Sequence, residues 1–396
     1  MTERTFAVRL PRAYVPDAVN TGSSKRILRL VGTPEFRGLV ATVAALVISC
    51  GGGGHSSTPL PAITIIDLAQ PWAVVAPAEA GLDEVQLGRA ASDAATLPRF
   101  RSLLVARHGK LVSETYFGGT DRSTLFDARS VTKSVVSLLM GIALQTQKLP
   151  SIDATVGDYL GAPYVLDDMD RAVTLRQLLT MTSRYQWDDT IDYDLWVASS
   201  DHIQFLLDRR QTDPVGTFTY NSAAANLLGF ILQKAVAEPL PQYANELLFQ
   251  PVGITTVGWE QLEPGMVNAA SGIKMSARDL LRFGQLVLQT GRSGAHQIVP
   301  VSWIAVATTP QVSWRDTYGA QRGATYGYLW WLAQPPATIA YFAWGFGGQF
   351  VYVVPSLDMV VVTTTDWRGI TAEINPITFA ASILTIIVTD VLPAAR

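Results

Sequence analysis

Residues 130–134, Ser130-Val131-Thr132-Lys133-Ser134, open an apolar run that continues through Val135, Val136, Leu138, Leu139, Ile142 and Ala143. The pattern predicts a helix over 130–148 that is apolar almost all round, and a helix of that kind is normally buried. Lys133 stands one turn into it, although burying an ammonium without a partner is costly. Positions three apart share a helix face, which brings Ser130 and Lys133 within reach of each other. Ser130 falls at the helix start, where backbone N–H groups are unpaired and point outward. A hydroxyl, an amine whose pKa is lowered by burial, and N–H donors for an oxyanion are the parts of a nucleophilic serine site. The same residues also fit a serine N-cap beside a lysine that snorkels to solvent. The two readings send the hydroxyl to different partners.

Around this stretch lie 396 residues, 48 % hydrophobic and 16 % charged, which is ample material for a large core. A net charge of −3 gives no electrostatic case for nucleic acid. The single cysteine, Cys50, excludes an intramolecular disulfide and a cysteine-based metal cluster. Its surroundings carry more information. Arg37 precedes an apolar segment over 39–48, followed by Ser49-Cys50-Gly51. A basic residue, a short apolar core and a small residue before the cut describe a secretory signal peptide. Val47-Ile48-Ser49-Cys50 resembles a bacterial lipobox, in which the cysteine is lipidated and becomes the mature N-terminus. The apolar run is too short to span a bilayer comfortably, and Gly51–Gly54 follow as a flexible tether. Residues 1–49 are therefore expected to be a signal peptide with an over-long start, 50–76 a linker, and 77–396 the folded domain. The protein is expected to be exported, held at a membrane only through Cys50 or released beyond it.

Along the domain, Asp83–Leu97 reads as a helix. Ser102–Ala106 and Leu111–Tyr116 flank His108-Gly109-Lys110 as a hairpin. A section over about 150–270 carries helical segments with little strand signal, among them one capped by Thr174, one over Ala223–Ala237 and, just beyond it, one over Ser276–Thr290. Strands return at Tyr326–Leu332, Ile339–Trp344, Gln349–Val354 and Met359–Thr365, the last two around the turn Pro355-Ser356-Leu357-Asp358. Pro376–Leu392 closes the chain as an apolar helix whose Thr378, Ser382, Thr385, Thr389 and Asp390 favour packing on a sheet over crossing a membrane. Strands at both ends with helices between predict one α/β layer holding an inserted helical region.

Two further stretches bear on Ser130. In Phe218-Thr219-Tyr220-Asn221-Ser222, Tyr220 on a tight polar turn either presents its phenol to a cleft or packs on the core. In the first case it can take the Ser130 proton and return it to a leaving group. In Trp344-Gly345-Phe346-Gly347-Gly348-Gln349, glycines at a strand mark a close approach to the backbone. That approach is either a substrate acyl group, with the Gln349 N–H as a second oxyanion donor, or a bend of the sheet.

Ser130-x-x-Lys133, Tyr220-Asn221-Ser222 and Phe346-Gly347-Gly348-Gln349, in that order, resemble the three motifs of penicillin-recognising serine hydrolases. The similarity is to the class C β-lactamase-like and esterase-like branch. Supporting stretches are Leu175-x-x-Leu178-Leu179-Thr180-Met181-Thr182-Ser183, Ser276-Ala277-x-Asp279-Leu280, Tyr326-Gly327-Tyr328-x-Trp330-Trp331 and Tyr352-Val353-Val354-Pro355-x-Leu357-Asp358. The ordered set, over roughly 80–390, carries the resemblance. It implies a β-lactamase/transpeptidase-like α/β fold, a mostly antiparallel sheet flanked by helices beside an all-helical region. It also implies an acyl-enzyme on Ser130, activation by Lys133, a general base and acid in Tyr220, and an oxyanion hole from the Ser130 and Gln349 N–H groups. No metal or cofactor is implied.

The chain departs from the family pattern in two places. The second motif usually ends in asparagine, which contacts a substrate amide; Ser222 stands there with Asn221 beside it, and both are expected to meet substrate. The Tyr-Asn-Ser triplet resembles the 6-aminohexanoate-dimer hydrolase and carboxylesterase branch. The third motif usually begins with Lys or His, and Phe346 stands there. A neutral aromatic cannot supply a charge-assisted hydrogen bond, worth about 1.5–3 kcal/mol, to a substrate carboxylate. β-Lactams and D-alanyl peptides carry that carboxylate, so the expected substrate is instead a small ester or amide, unless an arginine elsewhere compensates. Trp330, Trp331, Trp344 and Phe346 either wall an acyl cleft or fill the sheet core. A Ser-His-Asp hydrolase would want Gly-x-Ser-x-Gly after a strand, and no such pentapeptide occurs. His55, His108, His202 and His296 form no metal-binding run and read as surface residues. The rival readings are a β-lactamase or D-Ala-D-Ala carboxypeptidase on the same machinery, and a non-catalytic ligand-binding protein on the same fold.

Overall fold

The computed structural model describes residues 62–313, 325–333, 339–369 and 374–396; the signal-peptide and lipobox expectations, with His55, lie outside them. Its central layer joins the two ends of the domain. Strands β1 (Phe100–Arg107) and β2 (Lys110–Tyr116) come from the N-terminal side. From the C-terminal side come β3 (Val312–Ser313), β4 (Thr325–Tyr326), β5 (Trp331–Ala333), β6 (Ala340–Gly345), β7 (Gln349–Val354) and β8 (Met359–Thr365). They form an eight-stranded sheet in the order β3-β4-β5-β6-β7-β8-β1-β2, antiparallel at every step. The last strand lies on the first, with Leu103 opposite Thr363. β8 reads Met-Val-Val-Val-Thr-Thr-Thr and is buried along its whole length. A β-branched run suits a strand covered on both faces.

Helices supply that cover. Helix α1 (Glu84–Thr96), capped by Asp83, packs on β1. The helix capped by Ser276, α5 (Ala277–Leu288), packs on β7 and β8. The buried helix α2 (Val131–Gln145) touches β6 on one side and α4 (Ser222–Val236) on the other. It therefore runs between the sheet and the helical region. Within that region α3 (Asp189–Val197) packs on α4. The C-terminal helix α6 (Pro376–Ile386) and its continuation to Ala394 are long and apolar enough to cross a membrane by composition. Their side chains Phe379, Ala380, Ile383, Leu384, Ile387 and Val391 are instead buried in the core, partly against α1.

Several expectations need correction. Residues 62–76, expected within the linker, pack on the domain: Leu68 and Trp72 are buried, and the Leu68 N–H donates to Ser293 Oγ at 2.9 Å. The Gly/Ser/Thr/Pro-rich linker composition is confined to 51–61, whereas 62–76 is mostly apolar and carries these two large anchors. The strand expected over Tyr326–Leu332 is broken into β4 and β5, because the chain turns at Leu329 with φ 60°. The helical region gives way to short strands from Gly258, before residue 270. His202 is buried, edge-on to Trp196, where it was expected at the surface.

Candidate active site

Ser130 precedes α2 with φ −66° and ψ −2°, and its side chain makes no capping hydrogen bond. The N-cap reading therefore fails. The hydroxyl instead accepts a hydrogen bond from Lys133 Nζ at 3.0 Å. Lys133 does not snorkel; it is 1 % exposed. Its other two N–H groups point at Ser222 Oγ and the Ala270 carbonyl, each 3.0 Å away. Burial lowers the Lys133 pKa to about 8, Asp189 opposes that shift, and Arg129 adds to it. An amine with that pKa is neutral in part of its population near neutral pH and can accept a proton.

Tyr220 stands on the other side of Ser130. The phenol and the Ser130 hydroxyl share a hydrogen bond, while burial and the Asp189 charge push the phenol pKa well above its ordinary value. The Tyr220 ring stacks on Trp331, 5.4 Å between centroids, and Lys133 Nζ lies 4.9 Å from its centre. Ser222, expected to meet substrate, is instead fully buried against Lys133. It accepts from Lys133 and donates from Oγ to Asp189 Oδ2 at 2.9 Å. Asn221 caps α4: its Oδ1 accepts from the Ala224 N–H at 2.8 Å and its side chain is buried. The helix starting at Ser222 turns Asn221 away from the cleft, which corrects its expected substrate contact.

Asp189 escaped the sequence reading. Its carboxylate accepts from Trp187 Nε1 at 2.7 Å, the Ser222 N–H at 3.1 Å and Ser222 Oγ. It is thus joined to Lys133 through one hydroxyl. It belongs to no motif and arrives from the start of α3, so proximity alone reveals it.

The glycine stretch forms the turn between β6 and β7. Gly347 and Gly348 have φ of 82° and 91°, and the Gly348 N–H donates to the Gly345 carbonyl at 3.1 Å. Side chains with a Cβ rarely take that conformation. The close approach at Gly345 comes from the Ala128 carbonyl, two residues ahead of Ser130. A Cβ on Gly348 would meet Ile383, so these glycines seat the turn against protein. Gln349 ties β7 to β8: its side chain accepts from the Thr365 N–H at 2.9 Å and donates to Thr365 Oγ1. The Ser130 N–H makes no backbone hydrogen bond among the described residues.

Ser130 lies where two clefts meet. One, of about 340 Å³, is lined by Tyr220, Phe218, Trp331, Trp344, Phe346 and Ile377. The other, of about 450 Å³, is lined by Arg129, Asp189, Tyr193, Phe346, Trp367 and Arg368. Trp331, Trp344 and the 44 % exposed Phe346 thus wall the site. Trp330 does not: it is fully buried and stacks on Phe283 of α5. Among the described residues no cluster of His, Cys, Asp and Glu could hold a metal ion.

Comparison with known proteins agrees with this architecture. The chain is 28 % identical over 189 residues to the esterase EstB of Burkholderia gladioli, a stretch covering 41 % of this chain and 47 % of that protein. It is 22 % identical over 297 residues to the 6-aminohexanoate-dimer hydrolase of Paenarthrobacter ureafaciens, covering 67 % and 72 %. In structure it is similar to a penicillin binding protein from Bacillus halodurans, with a TM-score of 0.59 at 21 % identity over 76 % of this chain and 99 % of the other. The family model described as Beta-lactamase matches residues 101–378, from β1 to the first turn of α6 and so across all of these site residues. By that match this chain belongs to the Beta-lactamase family of serine hydrolases.

Proposed function

We propose that this enzyme hydrolyses ester or amide bonds of small molecules by two-step acyl transfer, with Ser130 as nucleophile, Lys133 as its base and Tyr220 as the acid that protonates the leaving group. The observation that carries the reading is the buried Lys133 amine held 3.0 Å from an uncapped Ser130 hydroxyl. The family resemblance would make Tyr220 the base. Its raised pKa leaves little phenolate, whereas the Lys133 pKa near 8 supplies neutral amine.

In the first step Ser130 Oγ attacks the carbonyl carbon and its proton passes to Lys133. The ammonium so formed faces Asp189 through Ser222. The Ser130 and Gln349 N–H groups are proposed to hold the oxyanion, an arrangement in which one donor is worth about 10²–10³ in rate. Tyr220 protonates the departing alkoxide or amine, and the Lys133 proton replaces the one it gave. Water then attacks the acyl-enzyme by the reverse sequence. Names borne by relatives, an esterase and a 6-aminohexanoate-dimer hydrolase, support ester and amide substrates. Phe346, where the family carries a cation, argues against β-lactams and D-alanyl peptides. The protein is further proposed to be an exported lipoprotein anchored at Cys50.

Initial rates on 4-nitrophenyl butyrate and on a chromogenic cephalosporin, each against Ser130→Ala, test the reading. Ester turnover lost in the variant, with negligible cephalosporin turnover, is expected. Efficient cephalosporin turnover would transfer the enzyme to the lactamase rival. Activity on neither, equal to the variant, would favour the binding-protein rival.

A further inference from the structure

Arg129 is 9 % exposed, and its Nε has no hydrogen-bond partner. Its guanidinium lies over Trp367 at 4.1 Å and Tyr193 at 5.3 Å from the ring centres. Such stacking helps to hold a cation but leaves its N–H groups unpaired. A guanidinium stays charged in proteins, and a buried charge without a counter-ion is costly. The other charges of this cleft offer no relief. Arg368 is already paired with Asp127, the Asp189 oxygens are taken up by Trp187 and Ser222, and Asp194 is exposed. Among the described residues no acid pairs with Arg129. The backbone at Arg129 is held at φ 52°, a conformation that non-glycine residues seldom adopt.

We propose that Arg129 binds a carboxylate on the acyl portion of the substrate, so that the preferred substrates are half-esters or half-amides of short dicarboxylic acids. This rests on the acyl transfer proposed above. Tyr220, which protonates the leaving group, belongs to the aromatic cleft, so the leaving group departs there and the acyl chain lies over Arg129. The Arg129 and Ser130 Cα atoms are about 3.8 Å apart, as neighbours across a trans peptide. Arg129 and Ser130 also line the same cleft, which keeps a bound anion within a short chain of the reacting carbonyl. Arginine meets a carboxylate with two parallel hydrogen bonds, which fixes orientation as well as charge. The overall reaction is ordinary hydrolysis: the acyl C–O or C–N bond breaks, water supplies the hydroxyl and the proton, and a dicarboxylate leaves. The anion sits on the acyl side, whereas a D-alanyl peptide carries its carboxylate on the departing residue.

The test compares 4-nitrophenyl hemiglutarate with 4-nitrophenyl valerate, which have the same chain length and leaving group. The wild-type enzyme is expected to favour the hemiglutarate in kcat/KM. In Arg129→Gln that preference ratio should fall about tenfold or more, and Arg129→Lys should restore part of it. A wild-type ratio at or below one, or a ratio unmoved in Arg129→Gln, overturns the proposal while leaving the hydrolase reading intact. Glutarate binding gives a second readout, independent of turnover, through the thermal midpoint of each form. Should neither ester turn over faster than in Ser130→Ala, a glutarate-induced rise in the wild type that is lost in Arg129→Gln retains the anion site and discards the hydrolase reading. No rise in that case overturns both.

Discussion

Gly345, at the end of β6, lies against the carbonyl of Ala128 so closely that a Cβ there would overlap the oxygen. The contact locks the sheet to the turn that delivers Ser130. Gly345→Ala should therefore destabilise the fold by about 1–3 kcal/mol through overpacking, lowering the thermal midpoint by several degrees. It should also slow turnover, because the turn must shift to make room. Gly88→Ala provides the contrast. Gly88 stands in α1 with open space beside it, and that substitution should stabilise by about 0.5–1 kcal/mol. Thermal melts of the two variants check both signs.

Tyr220→Phe should discriminate between leaving groups. An amine must be protonated to depart, whereas 4-nitrophenolate leaves readily as the anion. Loss of a general acid costs typically about 10²–10⁴ in rate. A loss of that size is expected on an anilide and a much smaller one on the nitrophenyl ester. Equal losses on both would assign Tyr220 to the attack step instead.

The Lys133–Ser222–Asp189 chain predicts a particular pH profile. In the proposed mechanism Lys133 accepts the Ser130 proton only as the neutral amine, so kcat/KM should rise with pH through about 8. The charges facing Lys133 are Asp189, which favours the ammonium, and Arg129, which disfavours it; the phenol of Tyr220 is neutral in this range. Removing the Asp189 charge makes the ammonium harder to form. In Asp189→Asn the acid limb should therefore move to lower pH, while the plateau falls because the ammonium formed during attack loses its counter-charge. A purely structural role for Asp189 would lower the plateau and leave the limb where it was.

Cys50→Ala tests the proposed anchor. Expressed in a bacterium with a lipoprotein pathway, the unmodified chain should fractionate with membranes and the variant with the soluble exported fraction. Identical fractionation of the two would remove the lipobox reading.

Much of this architecture was legible in the residues. The run after Ser130 is apolar on every face, which leaves no reading but burial. The lysine inside it has two possible fates in the sequence, snorkelling or partnership, and the structure partners it with Ser130, Ser222 and Ala270. β7 and β8 have the predicted bounds, because β-branched runs meet at a proline-led turn. What was hidden depended on the third dimension. Asn221 and Ser222 are neighbours with similar chemistry, and only the start of α4 decides which one reaches Lys133. Trp330 and Trp331 share one pair of readings in the sequence, cleft wall or sheet core, and only the backbone reversal at Leu329 separates them by sending Trp330 to the core. Asp189 and Arg129 carry no pattern of their own. The first is recognised by its contact with Ser222, the second by its lack of an acid.

Helix α2, which carries Lys133 and follows Ser130, has no solvent-facing side over Val131–Ala143. Its peptide hydrogens can then meet deuterium only when the whole domain opens, and they should rank among the slowest in the molecule to exchange. Heating is therefore expected to loosen the surroundings of Ser130 only as the scaffold itself melts. Inactivation and global melting should trace one curve.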